Sequence, residues 1–291
     1  MEPTNEISAL FTLIDDPDEE VFGVVTNRIV DYGKPIIPNL EHLWETTEDS
    51  TIQERIESII HRLHFSDLSI EFKDWSMAED PELLQGALLV SKFQYPELIT
   101  APVLQDIEKL RRNIWLELNN YLTPLEQVSI ISGIIYNYTG LKGIETDYTD
   151  ANSFLLHKVL ETKKGNQVSN GILYLILCEM LEIPVKALQL PGQFILGYMK
   201  EEPFGIPCET AYEQVKFFID PTSGAVYTFK EVDDYLKRIE AKGDDGFFEP
   251  MDNKQVIRHL LQESSLCFSE EKHCYKQKEL LQLSSLLDQA L

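Results

Sequence analysis

The stretch from Val168 to Met199 constrains the fold more than any other part of the chain. Its first part, 168–181, is a strongly apolar segment with helical character, and a helix with so little polar surface must be covered by other elements. Strand-like segments follow at 184–190, 194–199 and 214–219. The turn Asp220-Pro221-Thr222-Ser223-Gly224 then leads into a further short strand at 225–229. A helix is predicted near 230–240. A helix feeding short antiparallel strands predicts an α+β fold.

Upstream, the chain reads as helices separated by tight turns. In Asp15-Asp16-Pro17-Asp18-Glu19-Glu20, Asp16 is the expected cap and Pro17 suits the first turn. Phe22, Val25 and Ile29 follow at helical spacing, and Gly33 and Pro35 end the helix. Ser50 and Gln53 form an expected capping box ahead of the stripe Ile52, Ile56, Ile59, Ile60 and Leu63. These two helical hairpins resemble a degenerate HEAT-type pair. Two repeats are few for a free-standing solenoid, so they are predicted to pack on the more C-terminal elements. Asp80-Pro81 opens another helix, which ends near Tyr95-Pro96, and a helix is predicted over 103–121. Thr123-Pro124-Leu125-Glu126 combines a cap, a first-turn proline and a reciprocal glutamate. One more helix is predicted over 152–161 and amphipathic helices over 254–262 and 269–289. The expected organisation is a helical region at 1–145, a core at 146–245 and C-terminal helices at 246–291.

Composition narrows the function. The 291 residues suffice for a real core, and a 43% hydrophobic fraction is ordinary for a globular chain. The formal charge of −24 repels phosphate backbones and anionic lipid, so neither nucleic acid nor membrane is an expected partner; a protein or peptide is. The N-terminus shows no signal-peptide pattern and no apolar run nears the ~20 residues of a membrane span, so a cytoplasmic location is expected. Cys178, Cys208, Cys267 and Cys274 match no common zinc spacing, and the pair His61 and His64 lacks acidic partners at matching spacing; no metal or cofactor is expected. Asp233 and Asp234 start a helix, where the dipole explains them.

A set of short motifs then points to a family. They are Asn152-Ser153-Phe154-Leu155 through Glu161, Gly165-Asn166-Gln167-Val168-Ser169, Leu173-Tyr174-Leu175, Ile183-Pro184-Val185, Leu190-Pro191-Gly192-Gln193-Phe194 and Phe218-Ile219-Asp220-Pro221. In order and spacing they resemble the SirB-like branch of the transglutaminase-like superfamily, with the likeness extending over roughly 10–240. The resemblance implies an N-terminal helical, HEAT-like region on a papain-like α+β core with a small antiparallel sheet. It also implies a thiol nucleophile at a helix N-terminus, a histidine base on the next strand and an aspartate one strand further on.

By that alignment the thiol position falls on Gln167, the histidine position on Gln193 and the aspartate on Asp220. A carboxamide neither attacks nor takes a proton near neutral pH. No catalytic residue is therefore expected, and Gln167, Ser169, Gln193 and Asp220 are predicted to line a vestigial cleft, with Ser169 capping the helix behind it. Cys178 reads as a core thiol, Cys208 as a free loop cysteine and His157 as an exposed helical histidine. The expected function is a binding or scaffold role of a catalytically inactive protein. The alternatives are a thiol-dependent peptidase, amidase or acyltransferase that uses Cys208 or a partner's group, and a helical-repeat adaptor.

Overall fold

The structure, a computed structural model, describes residues 5–200, 211–241, 247–270 and 274–288. It divides into two compact units, Met1–Glu71 and Phe72–Leu291. The first unit is helical. Helices α1 (Asn5–Thr12), α2 (Glu19–Val30) and α3 (Ile37–Thr46), with the first part of α4 (Ser50–Ser76), enclose a core that includes Ile14, Ile29, Leu40, Ile56 and Ile59. The caps differ from the expected ones. Asp18, rather than Asp16, caps α2 by accepting from Glu20 N. Asp16 instead accepts from Asp18 N and fixes the approach to the helix. Asp49, rather than Ser50, accepts from Thr51 N at the start of α4, and Gln53 reaches back to the Thr47 carbonyl. Both aspartates stand just outside their helices, where a side-chain oxygen can reach the exposed amides.

In the second unit α5 (Leu83–Gln94), α6 (Thr100–Glu117) and α7 (Pro124–Ser132) precede the core. The expected capping box is present: Thr123 and Glu126 exchange side chain and backbone bonds at the head of α7. That helix runs directly into a π-helical turn, Gly133–Tyr138. The widened turn is the kind of local irregularity that helices adopt where a side chain must be re-aimed. Tyr136 here donates to the Pro221 carbonyl at 2.7 Å, and Ser132 donates to the Gly224 carbonyl at 3.2 Å. Both bonds tie the helical part of this unit to the turn at 220–224.

Two residues of β1 (Lys142–Gly143) pair in parallel with β2 (Lys164–Gly165). The helix expected over 152–161 is split into a short 3-10 turn, Ala151–Phe154, and α8 (Leu156–Thr162). Then comes α9 (Gln167–Met180), in which every residue from Val168 to Cys178 is buried. Strands β3 (Val185–Leu190), β4 (Gln193–Met199), β5 (Val215–Ile219, after the short α10, Ala211–Gln214), β6 (Val226–Tyr227) and β7 (Pro250–Met251) form an antiparallel sheet of order β6-β5-β4-β3-β7. One face lies on α9. There the glycine Gly171 lets the Phe194 ring come close: a Cβ at 171 would stand 2.6 Å from it. The other face carries Leu188, Ile195, Val215 and Phe218 against Val232 of α11 (Phe229–Arg238). Burial on both faces explains why these strands read as nearly continuous apolar runs. Helices α12 (Asn253–Ser265) and α13 (Cys274–Asp288) pack on each other, and α12 also packs on α5 and α9. The architecture is the expected α+β one: a helical N-terminal region and a small antiparallel sheet. Among the described residues no helix is long and apolar enough to cross a membrane.

Candidate functional site

The N-terminus of α9 and the start of β4 meet at one cleft. Asn166 caps α9: its Oδ1 accepts from Val168 N and Ser169 N, each at 3.0 Å, and the side chain is fully buried. Gln167 is the first residue of the helix, half-buried, and its Oε1 accepts from Phe194 N at 3.4 Å. That long hydrogen bond links the head of the helix to the strand opposite. Gln193, exposed, opens β4. The hairpin tip between β3 and β4 turns at Gly192, whose φ of +69° suits glycine. Tyr235 donates to the Pro191 carbonyl at 2.9 Å and so holds the tip from the α11 side.

Gln167 and Gln193 line a cleft of about 620 Å³ together with Phe194, Phe247 and Tyr148. Its remaining wall is α12, which contributes His259, Gln262 and Glu263. The His259 ring lies on Phe194, and Tyr148 donates to Glu263 Oε2 at 2.8 Å. Burial lowers the His259 pKa, against a smaller opposing pull from Glu263. Burial, helped by Glu263, pushes the Tyr148 phenol up to about 12. At neutral pH the cleft therefore presents a neutral imidazole and a protonated phenol.

The other two predicted residues lie elsewhere. Ser169 is buried beneath the helix end, where its hydroxyl donates to the Ser153 carbonyl at 2.7 Å. The cap expected of Ser169 belongs to Asn166, whose side chain reaches the free amides from the N-cap position. Asp220 does not line the cleft either. Its carboxylate accepts from Thr222 N at 2.8 Å, from the Thr222 hydroxyl at 2.7 Å and from Ser223 Oγ at 2.7 Å, so it closes the turn between β5 and β6. His157 is also not the exposed helical residue expected. Its two ring nitrogens are buried without a hydrogen-bond partner among the described residues, with the ring edge-on to Tyr95 at 4.8 Å.

None of the described cysteines lines the cleft, although Cys267 is near enough to Tyr148 and Glu263 to interact with them electrostatically. Cys178 is fully buried in α9, and burial drives its pKa far up. Cys267 is half-buried, and burial with nearby carboxylates raises it to about 11. Cys208 lies outside the described residues. Among the described residues that line the cleft there is no cysteine, and among all described residues no group of three His, Cys, Asp or Glu side chains could hold a metal ion.

Residues 101–262 match the family model described as "Transglutaminase-like superfamily". The chain belongs to the transglutaminase-like superfamily. The matched span includes α9, the sheet and most of α12, so it takes in every cleft residue named above except Glu263, which lies one position beyond it. The chain is SirB-like within the superfamily. It is 24% identical over 193 residues to "Protein SirB1" of Salmonella typhimurium strain LT2, covering 65% of this chain and 68% of that one. It is 24% identical over 192 residues to "UPF0162 protein YchA" of Escherichia coli K12, covering 65% and 67%. A UPF0162 protein of Vibrio cholerae is 28% identical over 116 residues, which cover 40% of this chain and 43% of the relative. No solved structure matches the chain.

Sequence reasoning misses His259, Gln262 and Glu263. A signal exists: the three stand at i, i+3 and i+4, on one face of a helix. In the sequence they read as part of an amphipathic tail, since nothing local says that this tail closes a cleft opened by β4.

Proposed function

We propose that this transglutaminase-like protein lacks thiol catalysis and uses its cleft to hold a peptide segment. The observation that carries the reading is the pair Gln167 and Gln193 at the mouth of one cleft, on the helix end and strand start where the family resemblance puts nucleophile and base. Neither carboxamide can form a thiolate or accept a proton at neutral pH. Losing both groups of such a pair costs orders of magnitude in rate. His259 supplies an imidazole but has no thiol beside it among the described lining residues. The same carboxamides suit binding. Gln167 Oε1 is occupied by Phe194 N, so its NH2 group is left to donate, while Gln193 offers both a donor and an acceptor. Such groups match the carbonyl and amide of an extended backbone.

The test has two arms. The full-length protein is assayed for amide hydrolysis and for acyl transfer to an amine, with a reactive-thiol probe added in parallel. The expected outcome is turnover no greater than buffer. Strong labelling at Cys208 that disappears in Cys208→Ala, together with amidase activity, would overturn the reading in favour of the thiol enzyme. In the second arm, short blocked peptides are titrated by NMR. Shifts at the Gln167 and Phe194 amides that weaken in Gln193→Ala support the cleft as the binding surface.

A further inference from the structure

We infer that the cleft takes an organic cation, a guanidinium or ammonium group borne by the bound peptide, and seats it on the Glu263 carboxylate. This rests on the reading of the cleft as a peptide site and adds the chemistry of the side chain it selects.

Four observations carry it. First, Glu263 is the sole carboxylate among the described residues that line the cleft, and none of those described lining residues is a lysine or arginine. Second, Glu263 has no ion-pair partner among the described residues, although other acidic side chains such as Glu108, Glu161 and Asp288 do. Its Oε2 accepts from the Tyr148 hydroxyl, which orients the carboxylate and leaves Oε1 to a ligand. A carboxylate with one oxygen anchored and the other open pairs well with a donor-rich cation. Third, aromatic side chains from three separate segments, Tyr148, Phe194 and Phe247, line the same space, and His259 is stacked on one of them. Aromatic faces attract guanidinium and ammonium groups, and more strongly when water is partly excluded. Fourth, the formal charge of the chain is −24, so its field draws cations and repels anions.

Acidic peptides are disfavoured on the same grounds. A carboxylate entering the cleft would meet Glu263 with no described cation to offset it. The proposal therefore selects arginine or lysine at the position facing α12, while Gln167 and Gln193 hold the backbone.

The experiment compares two probes of the same shape: acetyl-alanyl-arginyl-alanine amide and its citrulline counterpart, in which the guanidinium becomes a neutral urea. Both are titrated into the 15N-labelled full-length protein, following the Tyr148, Gln167, Phe194 and Glu263 amides. Spermidine is titrated in parallel as a cation without a peptide backbone. The arginine peptide is expected to bind about tenfold more tightly than the citrulline peptide and than spermidine, as one charge-assisted contact warrants. The preference over citrulline should vanish in Glu263→Gln, which keeps the shape and the tyrosine contact. Equal affinity for the arginine and citrulline peptides sinks the cation inference while leaving the cleft as a peptide site. Spermidine binding more tightly than the arginine peptide overturns the peptide-borne assignment. A failure of both peptides to shift any of these amides removes the underlying reading of the cleft, and the inference with it.

Discussion

The imidazole of His259 lies on the ring of Phe194 with centroids 5.2 Å apart and planes 10° from parallel. The contact joins α12 to the strand that starts at Gln193, and both rings line the cleft. Stacked aromatic pairs contribute roughly 0.5–1.5 kcal/mol beyond the area they bury. His259→Ala should therefore lower stability by about 2 kcal/mol once lost packing is included, and urea denaturation will measure it. His259→Phe keeps the stack and should recover most of the loss.

Histidines set the acid side of the stability profile. Burial lowers the pKa of both His157 and His259 from the ordinary 6.5, so the unfolded chain binds protons that the folded one refuses. Stability is then full above about pH 6.5 and declines as the pH falls through and below that value. Carboxylates held low by partners, such as Glu126 at the head of α7, lose their contribution only at more acid pH, below the usual 4.5. Denaturation curves between pH 8 and 5 should show the decline, and a His157→Gln, His259→Gln variant should be flatter over that window. An unchanged slope in the double variant would contradict the assignment.

Gly171 provides a sharper probe of the seam between α9 and β4. A methyl group there would lie 2.6 Å from the Phe194 ring and 3.3 Å from Pro221. Gly171→Ala should cost about 1–3 kcal/mol by overpacking and should displace Phe194 from its place in the cleft. Gly23 in α2 has nothing within 4 Å of the same position. Gly23→Ala should stabilise by about 0.5–1 kcal/mol, since alanine favours the helix. Opposite signs for the two substitutions, read from urea midpoints, are the expected result.

The buried cap is expected to outweigh the exposed ones. Asn166→Ala removes the acceptor of two backbone amides that are shielded from water, and should cost about 2–3 kcal/mol. Asp18→Ala at the exposed head of α2 should cost about 1 kcal/mol. Thermal melts of the two variants will rank them.

Thiol chemistry follows burial. With Cys178 sealed in α9 and Cys267 raised to about 11, iodoacetamide at neutral pH should leave Cys178 unmodified and Cys267 largely so until the protein is unfolded. Mass spectrometry of peptides from native and denatured samples will decide it; rapid native labelling at Cys178 would mean that α9 is not packed as described.

The four main elements of the core, α9 and strands β3, β4 and β5, are legible because their signals are local: apolar runs of the right length, broken by Pro-Gly and Asp-Pro turns. The capping box of Thr123 and Glu126 is legible for the same reason. Caps are ambiguous where two oxygens compete within a few residues, as at Asp16 and Asp18 or Asn166 and Ser169, since sequence spacing alone does not say which one faces the free amides. The two-residue strands β1, β2 and β7 are shorter than any hydrophobic period can reveal. The family motifs locate Gln167 and Gln193, but the α12 wall of their cleft depends on long-range packing, and the turn that absorbs Asp220 depends on the hydroxyls of Thr222 and Ser223.

The outer strands of the sheet, β6 and β7, are two-residue stubs, each matched to only two residues of its neighbour. An incoming chain would find almost no main-chain ladder to copy, so the sheet is a poor template for edge-to-edge aggregation. It is equally poor at capturing a strand by backbone pairing alone. If the cleft holds a peptide as proposed, its recognition is thereby left to side chains, and sequence selectivity has to come from the few that line the cleft.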